Sequence, residues 1–350
     1  MDHSLAALLQ LACPIDASDL FLSENRPAIL RRNTRLQEVT NHPITTAQME
    51  SLFHTCGTDP ATTNDHDVSF TSADGLRFRI NLHRRAGKLA AVLRHVRTQI
   101  PNMETLGLPE IVLTRWLTKE AGIIIITGST SCGKSTTVAS CLEWINQNTS
   151  RHIVTIEDPV EYVFEDARSF FTQREIGTDT ASFATGIRSA LRQSPDVIFV
   201  GEIRDRETAS IALQAAETGQ LVITTMQSST VRDTFRRLFN LFPVQDRASA
   251  SYLISHQLLG VVCQQLLPGT NDGLFLGLEY FENAAATRDW IRDGEPEKIL
   301  EHARTHDPNS SMSFLDSLIW GVKNGYLDRD VALSACDNDI EFNRSLRGIA

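Results

Sequence analysis

Two kinds of hydrophobic pattern divide the chain. From Val68 the apolar positions alternate: Val68 and Phe70, a turn at Asp74-Gly75, then Leu76, Phe78, Ile80 and Leu82 interleaved with Arg77, Arg79, Asn81 and His83. A period of two predicts a β-hairpin with one buried and one polar face. The polar face is basic, and Arg84, Arg85, Arg94 and Arg97 follow closely; each is read either as part of a solvated face or as a binding group. Pro101 and Leu106-Gly107-Leu108-Pro109 then break the pattern and suggest a linker. Beyond it the apolar residues come in unbroken runs, at 123–127, 153–156, 197–200 and 221–224, flanked by glycine or charge. Such runs are expected of strands buried on both faces of a parallel sheet. Between them Phe183, Ile187, Ala190 and Leu191, and then Ile211, Ala212, Ala215 and Ala216, keep helical spacing.

The predicted organisation is therefore α/β: an N-terminal α+β domain over 1–100, a linker over 101–111, and a parallel-sheet domain over 112–350. The part from about 246 reads as mainly helical, with a helical subdomain around 315–319, Val322 and Leu327. The stripe Phe235, Leu238, Phe239 and Phe242 is a core or packing face at helical spacing, the alternative being a partner-docking site.

Composition narrows the classes. With 350 residues, 41% hydrophobic and 22% charged, the chain is long and apolar enough to fold. Its formal charge of −10 disfavours nucleic acid and anionic membrane as partners. The six cysteines contain no Cys-x-x-Cys pair, so neither a zinc knuckle nor a disulfide framework is expected. The longest aliphatic run, 123–126, is far short of a membrane span, and Met1, Asp2 and His3 lack the positive start of a signal peptide. A cytoplasmic protein is expected.

The chemistry gathers at the ends of the apolar runs. Gly128-Ser129-Thr130-Ser131-Cys132-Gly133-Lys134-Ser135 follows one run and precedes a helical segment starting near Thr136. Strand, glycine loop and helix in that order is the context of a phosphate-binding loop. Backbone N–H groups and the helix N-terminus cradle phosphates, Lys134 adds a cation, and the Ser135 hydroxyl can ligate Mg²⁺. Residues 128–136 are thus the expected nucleotide contacts. Cys132 reads as a small residue that fits the loop, the alternative being an oxidisable switch. Asp196-Val-Ile-Phe-Val-Gly-Glu202 places a carboxylate just past a strand end, where ligands of parallel sheets bind. Glu202 is the candidate for polarising the attacking water or ordering the Mg²⁺ shell. Glu157-Asp158-Pro159-Val160-Glu161 supplies a further acidic cluster after another run, with Glu157 the candidate for assistance and metal contact.

These blocks resemble one family. Residues 153–162 are similar to the acidic box of secretion-type hexameric ATPases, and 190–205 to their Walker B block. Ala215-Ala-Glu-Thr-Gly219, Asp19-Leu-Phe-Leu-Ser23, Phe78-Arg-Ile-Asn81, Phe242-Pro243 and Val262-Cys-Gln-Gln-Leu-Leu267 extend the likeness over nearly the whole chain. The resemblance is to the type IV pilus retraction ATPases, the PilT/PilU group. It implies a PAS-like N-terminal domain, a RecA-like P-loop ATPase domain, a homo-hexameric ring, ATP and Mg²⁺. It also implies an inner-membrane pilus platform protein as partner, and Arg79 and Arg94 as arginines reaching a neighbour's nucleotide. Force is expected from hinge motion about 101–111.

Two departures follow. The family's histidine box reads here as Gln220 and Thr225-Met-Gln227-Ser228; Gln220 and Gln227 are the expected phosphate sensors, able to donate hydrogen bonds but not to titrate near pH 7. The family's retraction signature is partial, as Ala286-Thr-Arg288-Asp-Trp-Ile-Arg292-Asp293. The expected function is a cytoplasmic ATP-hydrolysing motor for pilus retraction. The alternatives are a PilU-like accessory or catalytically weak ring subunit working beside an active paralogue, and a related secretion ATPase.

Overall fold

The computed structural model describes residues 7, 9–10, 17–32, 35–72, 76–96, 99–270, 273–295, 298 and 309–348. The turn expected at Asp74-Gly75 and the side chain of Arg97 lie outside them. The chain divides into two compact units, one running to Thr98 together with Glu161–Val163, the other comprising Gln99–Val160 and Phe164–Ala350.

The first unit contains β1 (Ala17–Ser23), β2 (Ile29–Arg32), β3 (Arg35–Glu38), α1 (Thr46–Thr55), β4 (Asp65–Thr71), β5 (Arg77–Arg85) and β6 (Lys88–His95). They form a six-stranded sheet in the order β3-β2-β1-β6-β5-β4, antiparallel throughout. The alternation in β5 does what it predicts: Phe78, Ile80 and Leu82 are fully buried. They join Leu20, Leu22, Leu30 and Leu93 in one core with Met49, Leu52 and Phe53 of α1. Helix α1 is started by Thr45, whose hydroxyl accepts from the Gln48 N–H while the Gln48 side chain accepts from the Thr45 N–H.

The second unit begins with the stretch read as a linker. Met103 and Leu108 are buried, and α2 (Glu110–Leu117) starts within it. Then come β7 (Gly122–Gly128), α3 (Lys134–Asn148), β8 (His152–Glu157), β9 (Phe170–Glu175), α4 (Phe183–Ala190), β10 (Val197–Val200), α5 (Arg206–Glu217), β11 (Leu221–Met226), α6 (Val231–Asn240) and α7 (Arg247–Gln257). The remainder is β12 (Leu258–Pro268), β13 (Leu274–Glu282), α8 (Ala285–Asp293), β14 (Ser311–Met312), α9 (Phe314–Lys323), α10 (Arg329–Ala335) and α11 (Asp339–Leu346). The sheet order is β14-β13-β12-β7-β11-β10-β8-β9, and the strands from β12 to β9 are parallel. Every residue of β7, β10 and β11 is buried, which is why their sequences are unbroken apolar runs. Helices α4 to α7 supply Ile187, Ala212, Phe235 and Ile254 to the core they share with Ile123, Val154, Ile198 and Val222.

The reading of the chain from about 246 as mainly helical is corrected over 258–282. Leu258–Pro268 and Leu274–Glu282 pair antiparallel, and β12 also lies parallel to β7. A short apolar run has no period to distinguish helix from strand, and the β-branched pair Val261-Val262 fits a strand buried beside β7. Helices resume with α8 at Ala285, and after 312 Leu318, Leu327, Ala332 and Phe342 form a separate small core.

Candidate nucleotide site

The parallel strands end along one edge, and the candidate residues collect there. The loop after β7 turns on two glycines. Gly128 has φ +148, and a Cβ on it would stand 2.3 Å from the Gln264 carbonyl oxygen and 2.5 Å from Cys132 Sγ. Gly133 has φ +90, the left-handed conformation that only glycine adopts freely, and caps α3 without any side chain covering the first N–H groups. Lys134 Nζ donates to the carbonyls of Gly128 at 2.9 Å and Ser129 at 2.7 Å, so the cation sits over the loop's own backbone. Ser135 and Thr136 are half-buried on the first turn. Cys132 is 3% exposed; its carbonyl accepts from Gln264 Nε2 at 2.7 Å. So buried a thiol is a packing group of the loop.

Glu202 stands just past β10 on a backbone pinned from both sides. The Gly201 N–H donates to the Ile156 carbonyl at 2.8 Å, and the Ile203 N–H to the Thr225 carbonyl at 3.0 Å. Thr225 Oγ1 donates to the Gly201 carbonyl at 2.6 Å. The Glu202 carboxylate is almost wholly buried. Its Oε2 meets Arg204 at 2.6 Å and accepts from Gln227 Nε2 at 3.3 Å. Its Oε1 is buried and has no hydrogen-bond partner among the described residues. The Arg204 guanidinium is held above its ordinary pKa, first by that hydrogen bond to Glu202.

Glu157 closes β8, also buried, its Oε1 accepting from Thr155 Oγ1 at 2.6 Å and Gln173 Nε2 at 3.3 Å. Asp158 and Glu161 of the same cluster are exposed. Glu175, at the end of β9, is buried and accepts from the Val160 N–H at 3.2 Å.

The two glutamines separate. Gln227 lies just past the C-terminal end of β11, against Glu202. Gln220 precedes β11; its carbonyl accepts from the Gly122 N–H at the start of β7, and its side chain bonds to Thr218. A six-residue strand at about 3.3 Å per residue puts the two some 20 Å apart, at opposite edges of the sheet. Within one chain Gln220 therefore does not join this site. Arg79 and Arg94 belong to the first unit, directly opposite each other on β5 and β6. Arg94 pairs with the buried Asp19 at 2.7 Å, which also meets Arg31 at 3.3 Å. Arg79 is exposed.

Residues 63–274 match the family model described as type II/IV secretion system protein. The chain is 33% identical over 334 residues to the type IV pilus retraction ATPase PilT of Pseudomonas aeruginosa, covering 94% of this chain and 96% of that one. It is also 33% identical over 343 residues to the type IV pilus ATPase PilU of the same organism, covering 96% of this chain and 90% of that one. The chain belongs to the type IV pilus ATPases of the PilT/PilU group. A crystal structure of the pilus retraction motor PilT with bound ADP superposes with a TM-score of 0.88 at 34% identity, over 97% of this chain and 98% of that one. The Legionella pneumophila ATPase DotB follows the same fold, with a TM-score of 0.79 at 28% identity and 95% of each chain covered. An N-terminal α+β domain followed by a RecA-like ATPase domain, the fold class expected from the sequence, is thus the fold of this chain.

Arg204, Gln264, Gln173 and Thr225 were not singled out by the sequence. Arg204 lay inside the Walker B block, two residues from Glu202, and its position was the available signal. Nothing in spacing links Gln264 to a loop more than a hundred residues earlier. Among the described residues no helix is long and apolar enough to cross a membrane.

Proposed function

We propose that this PilT/PilU-group protein is a Mg²⁺-dependent ATPase that works as a homo-hexameric motor of the type IV pilus machinery, in pilus retraction. The observation that carries the reading is the meeting, at one sheet edge, of the loop 128–135, Glu157, Glu202 and Gln227. The loop is shaped for a nucleotide: Gly128 lets it pass against the Gln264 carbonyl and Cys132 Sγ where a Cβ would collide, and the first turn of α3 offers its N–H groups to phosphate oxygens. Lys134 exchanges its contacts with two loop carbonyls for the β and γ phosphates.

Mg²⁺ keeps several waters and takes few protein ligands. Ser135 is the proposed direct ligand, with Glu157 and Glu202 ordering its waters. When bound, Mg²⁺ neutralises charge on the phosphate oxygens. Glu202 holds the attacking water in line through its buried Oε1 and accepts its proton. Gln227 donates toward the γ-phosphate from beside Glu202. Arg79 and Arg94 of a neighbouring copy stabilise the charge that develops at transfer. An inner-membrane pilus platform protein is the proposed partner of the ring at the cytoplasmic face of the membrane.

Gln227 also supports a second reading, that of a PilU-like accessory or slow subunit beside an active paralogue. An amide in contact with Glu202 neither carries charge nor titrates near neutral pH. Turnover of the purified chain alone separates the two: a working motor hydrolyses Mg-ATP unaided, whereas an accessory subunit binds ATP and turns over only with its paralogue.

A further inference from the structure

The two oxygens of Glu202 are held differently. Oε2 takes Arg204 at 2.6 Å and Gln227 Nε2 at 3.3 Å, while Oε1 is buried and has no hydrogen-bond partner among the described residues. Leaving a buried carboxylate oxygen without a donor is unfavourable by itself, so a fold that keeps one has fixed the group for another purpose. The arginine is fixed too. Its backbone lies between the Ile203 N–H, bonded to Thr225, and Asp205, which caps α5 through the Thr208 N–H at 2.9 Å and the Thr208 hydroxyl at 2.8 Å. Yet the Arg204 side chain is 60% exposed, and an exposed ion pair adds little to folding.

We propose that Arg204 is a positioning residue: by holding Oε2 it sets the carboxylate plane so that Oε1 is the oxygen presented to the attacking water. This rests on the reading of Glu202 as the water-orienting carboxylate. Arg204 touches neither water nor phosphate in this role. It removes the rotational freedom of a carboxylate whose productive orientation must be met within a fraction of an ångström. Gln227, at the longer distance and without charge, is the weaker of the two restraints.

The test is steady-state Mg-ATP hydrolysis together with titration of a fluorescent ATP analogue and thermal melting, on the full-length parent, Arg204→Ala, Arg204→Lys and Glu202→Gln. A lost positioning contact lowers kcat by about tenfold or more. The analogue's Kd stays within about twofold, and thermal melting separates the loss of kcat from any loss of stability caused by leaving the buried Glu202 carboxylate without its cation. Arg204→Lys, which keeps one charged donor but not the planar fork, recovers part of kcat. Three results overturn the proposal: Arg204→Ala turning over like the parent, Arg204→Ala turning over faster, which would make Arg204 a restraint, or a loss of kcat that tracks a loss of nucleotide affinity. If Glu202→Gln hydrolyses ATP normally, the underlying role of Glu202 falls. If Glu202→Gln is dead while Arg204→Ala is normal, only the positioning claim falls.

Discussion

Gln264 Nε2 donates to the Cys132 carbonyl at 2.7 Å, tying the phosphate-binding loop to a strand 132 positions further along the chain. Both loop glycines lean on the same residue: a Cβ at Gly128 would meet its carbonyl oxygen at 2.3 Å, and one at Gly133 its Nε2 at 3.3 Å. The loop's shape is thus fixed by its neighbouring strand as well as by its own glycines. Gln264→Ala leaves the buried Cys132 carbonyl without its donor, at a cost of about 1–3 kcal/mol. The melting temperature falls and the affinity for ATP weakens, read by thermal unfolding and nucleotide titration. A variant with both values unchanged would show that the loop holds itself.

Gly128→Ala meets a backbone atom and a buried sulfur, neither of which can swing away, at a φ of +148. Nucleotide binding is lost in this variant. Gly219→Ala is the matched comparison, because Gly219 also has a positive φ, +107, but nothing lies within 4 Å of the added carbon. It costs about 1–2 kcal/mol of backbone strain and keeps ATP affinity. Equal affinities in the two variants would remove the steric argument for the cradle.

Gln227→His places a titratable ring against Glu202 Oε2. The pH–rate profile of this variant acquires a component above the ordinary histidine value of about 6.5, because the Glu202 carboxylate favours the charged ring, which the parent profile lacks. Superimposable profiles would mean that residue 227 does not face the reacting groups.

Burial pushes the Cys141 thiol up to about 12 from an ordinary 9.0. The unfolded chain releases this proton near pH 9 and the folded chain keeps it, so stability is intact below pH 9 and falls as pH rises from 9 toward 12. Denaturant midpoints measured across that range fall less steeply for Cys141→Ala than for the parent. Parallel pH dependences would rule out this thiol as a contributor.

Much of the fold was legible because burial writes itself into periodicity. The alternation around Phe78 and Ile80 pointed to a strand by its period and the unbroken run 123–127 by its shortness and the glycines on both sides, and each strand formed where expected. The run at 261–267 carried no period, and its role as a strand depends on β7 lying beside it, a non-local fact. The same division holds at the site. Glu157 and Glu202 stand at or just past strand ends and Lys134 on the first turn of the helix after the glycine loop, and all three were visible as such. Gln220 and Gln227 look equivalent in sequence, flanking one strand, yet that strand's length sends them to opposite edges. The contacts of Glu202 with Arg204, and of Gln264 with Cys132, depend on side-chain packing that spacing does not encode.

The central claim is that loop 128–135 and Glu202 form one hydrolytic site. Steady-state Mg-ATP hydrolysis by the purified, hexamer-sized fraction, run beside Lys134→Ala and Glu202→Gln, tests it most directly. The parent turns over, Lys134→Ala loses ATP binding and turnover together, and Glu202→Gln binds ATP but does not hydrolyse it. A parent that binds ATP without turnover, or a Glu202→Gln variant as active as the parent, would contradict the claim.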